Sequence, residues 1–227
     1  MANRAPFAPG EYYHCYNRGI DKRKIFETTR DYQRFIQGLY LCNNTEPMRL
    51  DDLQDYTHGE ILMYPRGQQL VAIGAYCLMP NHFHFLLKEI AEGGITKFMR
   101  RLGIAYTMYY NIKNERVGNL LTKPFRSKRI ADDRYFRRVA QYIHLNPAEL
   151  FEPAWKIGRV KNLPVLQQRL LNYPYSSFSD YYGNKRVENV LLHKESKKLL
   201  GENLPPIKDI LLEAKEYYAG LKWGSAR

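Results

Sequence analysis

Apolar and polar positions follow two spacings along the first part of the chain, and each spacing is typical of one kind of element. Alternation with a period of two in YYHCYNRG, residues 12–19, predicts a first strand. Two apolar runs follow at about 71–78 and 82–88. The residues between these runs include Pro80 and Asn81, which favour a turn. The two runs therefore predict a pair of strands joined by a tight connection.

Three further segments carry apolar residues at helical spacing. The first begins at an N-capping threonine, Thr28 or Thr29. The second, at 93–118, is bounded by glycines, and the third, at 132–147, has acidic residues in its first turn and ends at a proline. Between the second and the third helix, KPFRSKRIA predicts a short basic strand.

The order of these elements is β-α-β-β-α-β followed by a helix, which is the order of a ferredoxin-like antiparallel sheet with an added helix. The predicted fold class is therefore α+β. We expect one domain over 1–150, with a polar loop insertion at 45–70 that holds a short helix at 49–55. Residues 151–227 are rich in Lys and Leu and are expected to form a C-terminal extension that is partly helical.

Two histidines, His82 and His84, interrupt the second strand of the predicted hairpin. Side chains alternate between the faces of a strand, so both histidines point to one face while Phe83 and Phe85 point to the other. The two helices of a ferredoxin-like unit lie on one face, where the phenylalanines can pack. The histidines then face the side that only the added helix can cover, and their imidazoles can converge on one ion.

The added helix contains Tyr142 and, four residues later, Asn146. Residues at this spacing share a helix face, so both side chains can be presented to the two histidines. Two imidazoles and an amide oxygen leave coordination positions open and suit Mg²⁺ or Mn²⁺ better than a cysteine-rich set would. A tyrosine beside a metal that polarises a phosphate predicts a nucleophile for phosphodiester cleavage.

Composition narrows the class of partner. Lys and Arg outnumber Asp and Glu by 35 to 23, a formal charge of +12, which favours a polyanion such as nucleic acid. The excess is concentrated at 97–138, which holds 12 basic and 3 acidic residues among interleaved aromatics. There is no apolar run of spanning length and no signal core, so no membrane partner is expected. Three cysteines without a CxxC pair indicate a reducing cytoplasm.

Several blocks together resemble the signatures of single-tyrosine HUH transposases, in which HUH denotes His, a hydrophobic residue and His. The blocks are YHCYNRG, AYCLMPNHFHFLL, GGITKFMRRLGIAYTMYYN, PFRSKRIADDRYF and YIHLNP, and the later YPYSSFSDYYG is similar to a tail block of the REP-associated branch. The resemblance covers roughly residues 11–183. The chain departs from the pattern in LLTKPFRSK, which lacks a Gln-Gly pair common in relatives, and in its long 45–70 insertion.

The resemblance implies a metal site made by His82, His84 and Asn146, with Tyr142 as the nucleophile that forms a 5′-phosphotyrosine and frees a 3′-hydroxyl. It implies Mg²⁺ or Mn²⁺ as cofactor and a single-stranded or hairpin DNA substrate. Candidate DNA contacts are basic residues of the first strand and of the short basic strand: Arg18, Arg126, Lys128 and Arg129. The protein is expected in the cytoplasm at the nucleoid, as a monomer or a homodimer.

The residues leave alternatives open. Tyr135 lies seven residues before Tyr142 and is the rival nucleophile if the helix register differs. His14 and His144 are expected to have structural roles. A non-catalytic nucleic-acid module on a ferredoxin-like sheet is one rival function. A zinc hydrolase that uses water is another, although the chain has no HExxH motif.

Overall fold

The computed structural model describes residues 6–46, 48, 50–53, 55–183, 185–201 and 204–220. Its centre is a four-stranded antiparallel sheet in the order β2-β3-β1-β4. The strands are β1 (Tyr12–Arg18), β2 (Val71–Met79), β3 (His82–Glu89) and β4 (Arg126–Arg129). This order, with the helices between the strands, is the ferredoxin-like arrangement, so the predicted α+β fold class is confirmed.

The helices interleave with the strands as the sequence predicts. They are α1 (Thr29–Leu41), α2 (His58–Met63), α3 (Gly94–Lys113), α4 (Asp133–Leu145), α5 (Ala148–Phe151), α6 (Leu163–Leu171), α7 (Lys194–Gly201) and α8 (Ile207–Gly220). Short 3₁₀ turns lie at Ile20–Lys22, Leu50–Leu53, Trp155–Ile157, Phe178–Tyr181 and Val187–Leu191. No helix among the described residues is both long and apolar enough to cross a membrane.

Helices α1 and α3 pack on one face of the sheet and form the main core with it. Phe83 and Phe85 of β3 are fully buried there, against Phe35 of α1 and Phe98 of α3. Helix α1 begins with a capping box, because Thr28 accepts from the amide of Asp31 and the Asp31 carboxylate accepts from the amide of Thr28.

Helix α4 covers the opposite face. Its apolar stripe, made by Phe136, Val139, Ala140 and Ile143, packs on the outward side chains of β2 and β3. The strict alternation of β3 therefore separates the two layers: the phenylalanines belong to the α1 and α3 layer, and the histidines belong to the α4 layer.

The structure differs from the sequence-based predictions at three places. The insertion holds a helix that the sequence did not indicate, α2, because Thr57 and Glu60 form a capping box around a short apolar segment. The helix expected at 49–55 is a 3₁₀ turn at Leu50–Leu53, and positions 49 and 54 lie outside the described residues. Helix α3 ends at Lys113, before its expected glycine; the Asn114 side chain donates through Nδ2 to the Tyr110 carbonyl, and Glu115 has a positive φ of 50° that a helix cannot continue through.

The residues after 150 fold back on both the sheet and α4. Ser176 forms an isolated β-bridge with Cys77 of β2, and Leu192 forms another with Ile73 of the same strand. A separate apolar cluster centred on Trp155 joins the end of α4 to α6 and α8; it contains Leu145, Ala148, Leu166, Leu170, Phe178, Ile207, Ile210 and Leu211. Positions 221–227 lie outside the described residues.

Candidate active site

Three imidazoles meet on the face of the sheet that α4 covers. His84 is buried, and its Nδ1 atom lies 2.9 Å from Nε2 of His14 on the neighbouring strand. The His82 and His84 rings are 5.0 Å apart and nearly perpendicular. On the outer side, Nδ1 of His82 lies 2.6 Å from Oδ1 of Asn81, whose own amide donates to the Lys22 carbonyl.

Helix α4 presents Tyr142 to this cluster. The ring centroid of Tyr142 is 5.4 Å from that of His84 and 5.7 Å from that of His14, both edge to face. The residue is 40% exposed, so it is accessible to a ligand. Asn146 follows one turn later, and its Nδ2 atom donates to the Tyr142 carbonyl at 2.7 Å. Tyr142 and Asn146 therefore lie on the histidine face, as their spacing predicts.

Burial keeps the imidazoles of this site neutral. It lowers the pKa of His14 to about 4, with a smaller effect from the charge of Lys128. Burial also lowers the pKa of His84 well below its usual value, and the neighbouring imidazoles of His14 and His82 add to the effect. The pKa of Tyr142 is raised, first by burial and then by the carboxylate of Glu149, so the resting side chain is a neutral phenol.

The donor set suits a divalent cation. A carbonyl oxygen only accepts, so the contact with Asn81 puts the proton of His82 on Nδ1 and leaves a lone pair on Nε2. The same holds for His84 when its Nδ1 donates to His14. The Asn146 amide donates through Nδ2 to the Tyr142 carbonyl, and its side chain also hydrogen-bonds with the side chains of His82 and Tyr142, so its Oδ1 atom lies where it could ligate an ion bound at His82. Neutral imidazoles are the form that binds metals.

This set is not a cluster of acidic or thiol ligands. Over the part of the chain that the structure describes, no group of three or more His, Cys, Asp or Glu side chains is arranged to hold a metal ion. The expected set has two imidazoles and an amide, and an amide falls outside those four types. The metal site therefore remains a prediction that the positions of His82, His84 and Asn146 make chemically reasonable.

The four predicted DNA contacts divide between the two faces of the sheet. Arg18 pairs with His82 across the sheet, and Lys128 pairs with His14, so both share the histidine face. Arg126 lies two residues before Lys128 and faces the same way. Arg129 points to the other face, where its guanidinium forms an ion pair with the Glu11 carboxylate at 3.0 Å.

Sequence reasoning missed two neighbours of the site. His14 was expected to be structural, yet it contacts both His84 and the Tyr142 ring. His14 lies at intervals of two from Tyr16 and Arg18 in β1, and this spacing was the sequence signal that could have found it. Glu149 lies in α5; burial lowers the pKa of His82 and the charge of Glu149 opposes that shift, whereas burial and the charge of Glu149 both raise the pKa of Tyr142. It forms an ion pair with Lys156.

Two residues weighed as alternatives have clear positions. His144 is buried away from the cluster, and its Nε2 lies 2.9 Å from the Ser177 hydroxyl. Tyr135 is half-buried on the side of α4 that faces β4, with the Lys128 ammonium 4.8 Å from its ring centroid.

Comparison with known proteins gives a likeness in fold. No protein-family model matches the chain, and no curated protein matches its sequence. A solved structure of a REP-associated tyrosine transposase bound to a REP hairpin is similar, with a TM-score of 0.51 and 17% sequence identity. The match covers 83% of this chain and 90% of that chain. At this identity the likeness concerns the fold, and function has to be argued from the site.

Proposed function

We propose that this protein is a metal-dependent endonuclease and strand transferase of single-stranded DNA, similar to a transposase, that acts through a 5′-phosphotyrosine. The observation that carries the proposal is the meeting of Tyr142 with the histidine pair. Its ring stands 5.4 Å from His84 and is open to solvent, and Asn146 follows one turn later on the same helix.

Tyr142 would attack the phosphorus atom through Oη. The new O–P bond forms as the bond to the 3′-oxygen of the neighbouring nucleotide breaks; the phenol proton passes to water, and the leaving 3′-oxygen takes up a proton. Mg²⁺ or Mn²⁺ bound by His82, His84 and Asn146 would polarise the phosphate and stabilise the charge that develops on it. The phosphodiester energy is kept in the tyrosine link, so a second 3′-hydroxyl can reverse the step and join two strands.

The charge distribution supports DNA as the substrate. Arg18, Arg126 and Lys128 lie on the histidine face, where they can contact phosphates on either side of the bond that is cut. The similar solved structure holds a REP hairpin, which supports a hairpin with a single-stranded flank as the first substrate to try. A flexible single strand can enter a half-buried site that a duplex cannot.

The test is covalent capture. Labelled hairpin DNA with single-stranded flanks, taken from either side of the gene, is incubated with Mg²⁺ or Mn²⁺ and scored for a protein–DNA adduct that survives denaturation. The unmodified protein and Tyr135→Phe should form the adduct, whereas Tyr142→Phe should bind the DNA and form none.

Mass spectrometry of the adduct should place the nucleotide on Tyr142. An adduct on Tyr135 would place the nucleophile two turns earlier on α4 and refute the assignment. DNA binding with no adduct under any metal would favour the non-catalytic nucleic-acid module instead.

A further inference from the structure

A cavity of about 490 Å³ opens at Tyr142 and is lined there by His84 of the histidine strand. One wall is the sheet, with His14 and Tyr16 of β1 and Lys128 of β4. Helix α4 forms the opposite wall, and α8 closes the end with Glu213 and Ala214. A volume of this size accepts a ligand of a few hundred daltons.

The lining combines flat aromatic faces with positive charge. Tyr16 and Tyr135 present rings, and Val139 and Leu145 supply an apolar surface between them. Such rings can stack on an unpaired base. The cations of the lining are Lys128, which holds its ammonium 4.8 Å from the Tyr135 centroid, and Arg138.

Helix α4 carries further positive charge next to the cavity. Arg134, Arg138 and Tyr142 follow one another at intervals of four residues, so one helix face carries two arginines and then the proposed nucleophile. A second hollow of about 460 Å³ continues from the first past Arg134, Arg137 and Arg138. A chain of phosphates that passes Tyr142 has a basic track to follow away from the histidines.

Helix α8 gives the cavity its outer wall. Ile207, Ile210 and Leu211 of α8 are buried in the cluster around Trp155, which fixes the helix against the end of α4. Glu213 and Ala214, on the next turn, therefore stand over the opening. A carboxylate accepts hydrogen bonds from the amino groups of a base, so Glu213 can contact the edge of a base that is bound in the cavity.

We propose that this cavity binds one unpaired nucleotide of the strand that Tyr142 attacks, with its base against the Tyr16 and Tyr135 rings and its phosphate at Lys128 and Arg138. The inference rests on the proposed function and adds a recognition site to it. The C-terminal extension then has a specific part in the site, since α8 completes the cavity.

The test measures binding rather than cleavage, in the Tyr142→Phe background. Each nucleotide of the single-stranded flank of the hairpin is replaced in turn by an abasic analogue, and the dissociation constant is measured by fluorescence anisotropy. Loss of one stacked base should weaken binding about tenfold at a single position, because stacking on an aromatic side chain is worth about 1–3 kcal/mol. Other flank positions should change less than about threefold.

Two variants connect that position to the cavity. Tyr135→Leu removes one ring, and Ala214→Trp fills the space. In each variant, the loss of affinity that the abasic analogue causes at that position (the abasic penalty) should fall to less than about twofold. Binding of the abasic hairpin itself should stay within about twofold, which also shows that the variants are folded. Lys97→Ala, which removes an exposed charge of α3 on the other face of the sheet, is the control and should keep the full penalty.

The outcomes separate the two proposals. Equal penalties at all flank positions, or a penalty that persists in both cavity variants, would overturn the cavity assignment and leave the adduct result untouched. A position-specific penalty without any adduct would overturn the chemistry proposed for Tyr142 and keep the nucleotide site. No binding to hairpin DNA at all would overturn both.

Discussion

Asp31 carries a buried charge in the layer behind the histidine strand. Its carboxylate is fully buried and accepts from the backbone amides of Glu27 and Thr28, from the Tyr109 hydroxyl and from the Lys113 ammonium at 2.8 Å. One carboxylate therefore joins the start of α1 to the end of α3. Asp31→Asn keeps the size of the side chain and removes its charge.

The expected loss follows from the pKa of Asp31. Burial alone would raise it, but the hydrogen bonds from Lys113, Tyr109 and the two amides outweigh burial and lower the pKa from 3.8 to about 2. A pKa lowered on folding stabilises the folded protein above the unfolded value, and that contribution is lost as the pH falls through the folded value. The shift corresponds to about 2 kcal/mol at pH 7 and to roughly half of that at pH 3.

Urea unfolding of the unmodified protein and of Asp31→Asn measures this difference. The variant should lose at least about 2 kcal/mol at pH 7, since it also leaves the Lys113 ammonium without its carboxylate, and the gap should narrow at pH 3. Glu60→Gln is the matched control: it changes the carboxylate of the other capping box, which is exposed, and should have a much smaller effect. Equal unfolding midpoints at pH 7, or a gap that is independent of pH, would refute the reasoning.

Two further predictions concern the site. Chelation should abolish DNA cleavage and Mg²⁺ or Mn²⁺ should restore it, while His82→Ala should lose cleavage and keep most of its hairpin binding; full activity in excess chelator would disprove the metal site. Binding to single-stranded DNA should weaken steeply with salt, and Arg126→Ala or Lys128→Ala should each flatten the log–log slope by about 0.7, because each removes one cation that neutralises a phosphate. Arg129→Ala, on the other face, should leave the slope unchanged.

Much of the fold could be predicted because local patterns and tertiary packing agree. The period of two in β1 and β3 and the helical spacing in α1, α3 and α4 give the order of elements, and that order has a well-known arrangement in space. The short helix α2 could not be predicted in the same way. Its six residues are too few for a clear periodic pattern, and its start depends on the exposed capping pair Thr57 and Glu60.

The relative positions of the candidate site residues were predictable where two residues share one element. His82 with His84, and Tyr142 with Asn146, follow from the period of a strand and of a helix. His14 was missed because its role depends on the register between β1 and β3, which the order of the elements does not give. That register pairs Tyr16 with His84 and brings Nε2 of His14 to 2.9 Å from Nδ1 of His84. The cavity was out of reach for a similar reason, since α8 is about 70 residues from Tyr142 in sequence.

The position of the histidines is a consequence of core packing rather than of any contact that the histidines make. A slip of β3 by one residue would turn Phe83 and Phe85 towards α4 and put His82 and His84 into the core. Burial of each phenylalanine contributes about 1.5–3 kcal/mol, and burial of an imidazole in their place would add a desolvation cost. The register that buries the phenylalanines against Phe35 and Phe98 is therefore preferred by several kcal/mol, and the same register sets the imidazoles opposite Tyr142.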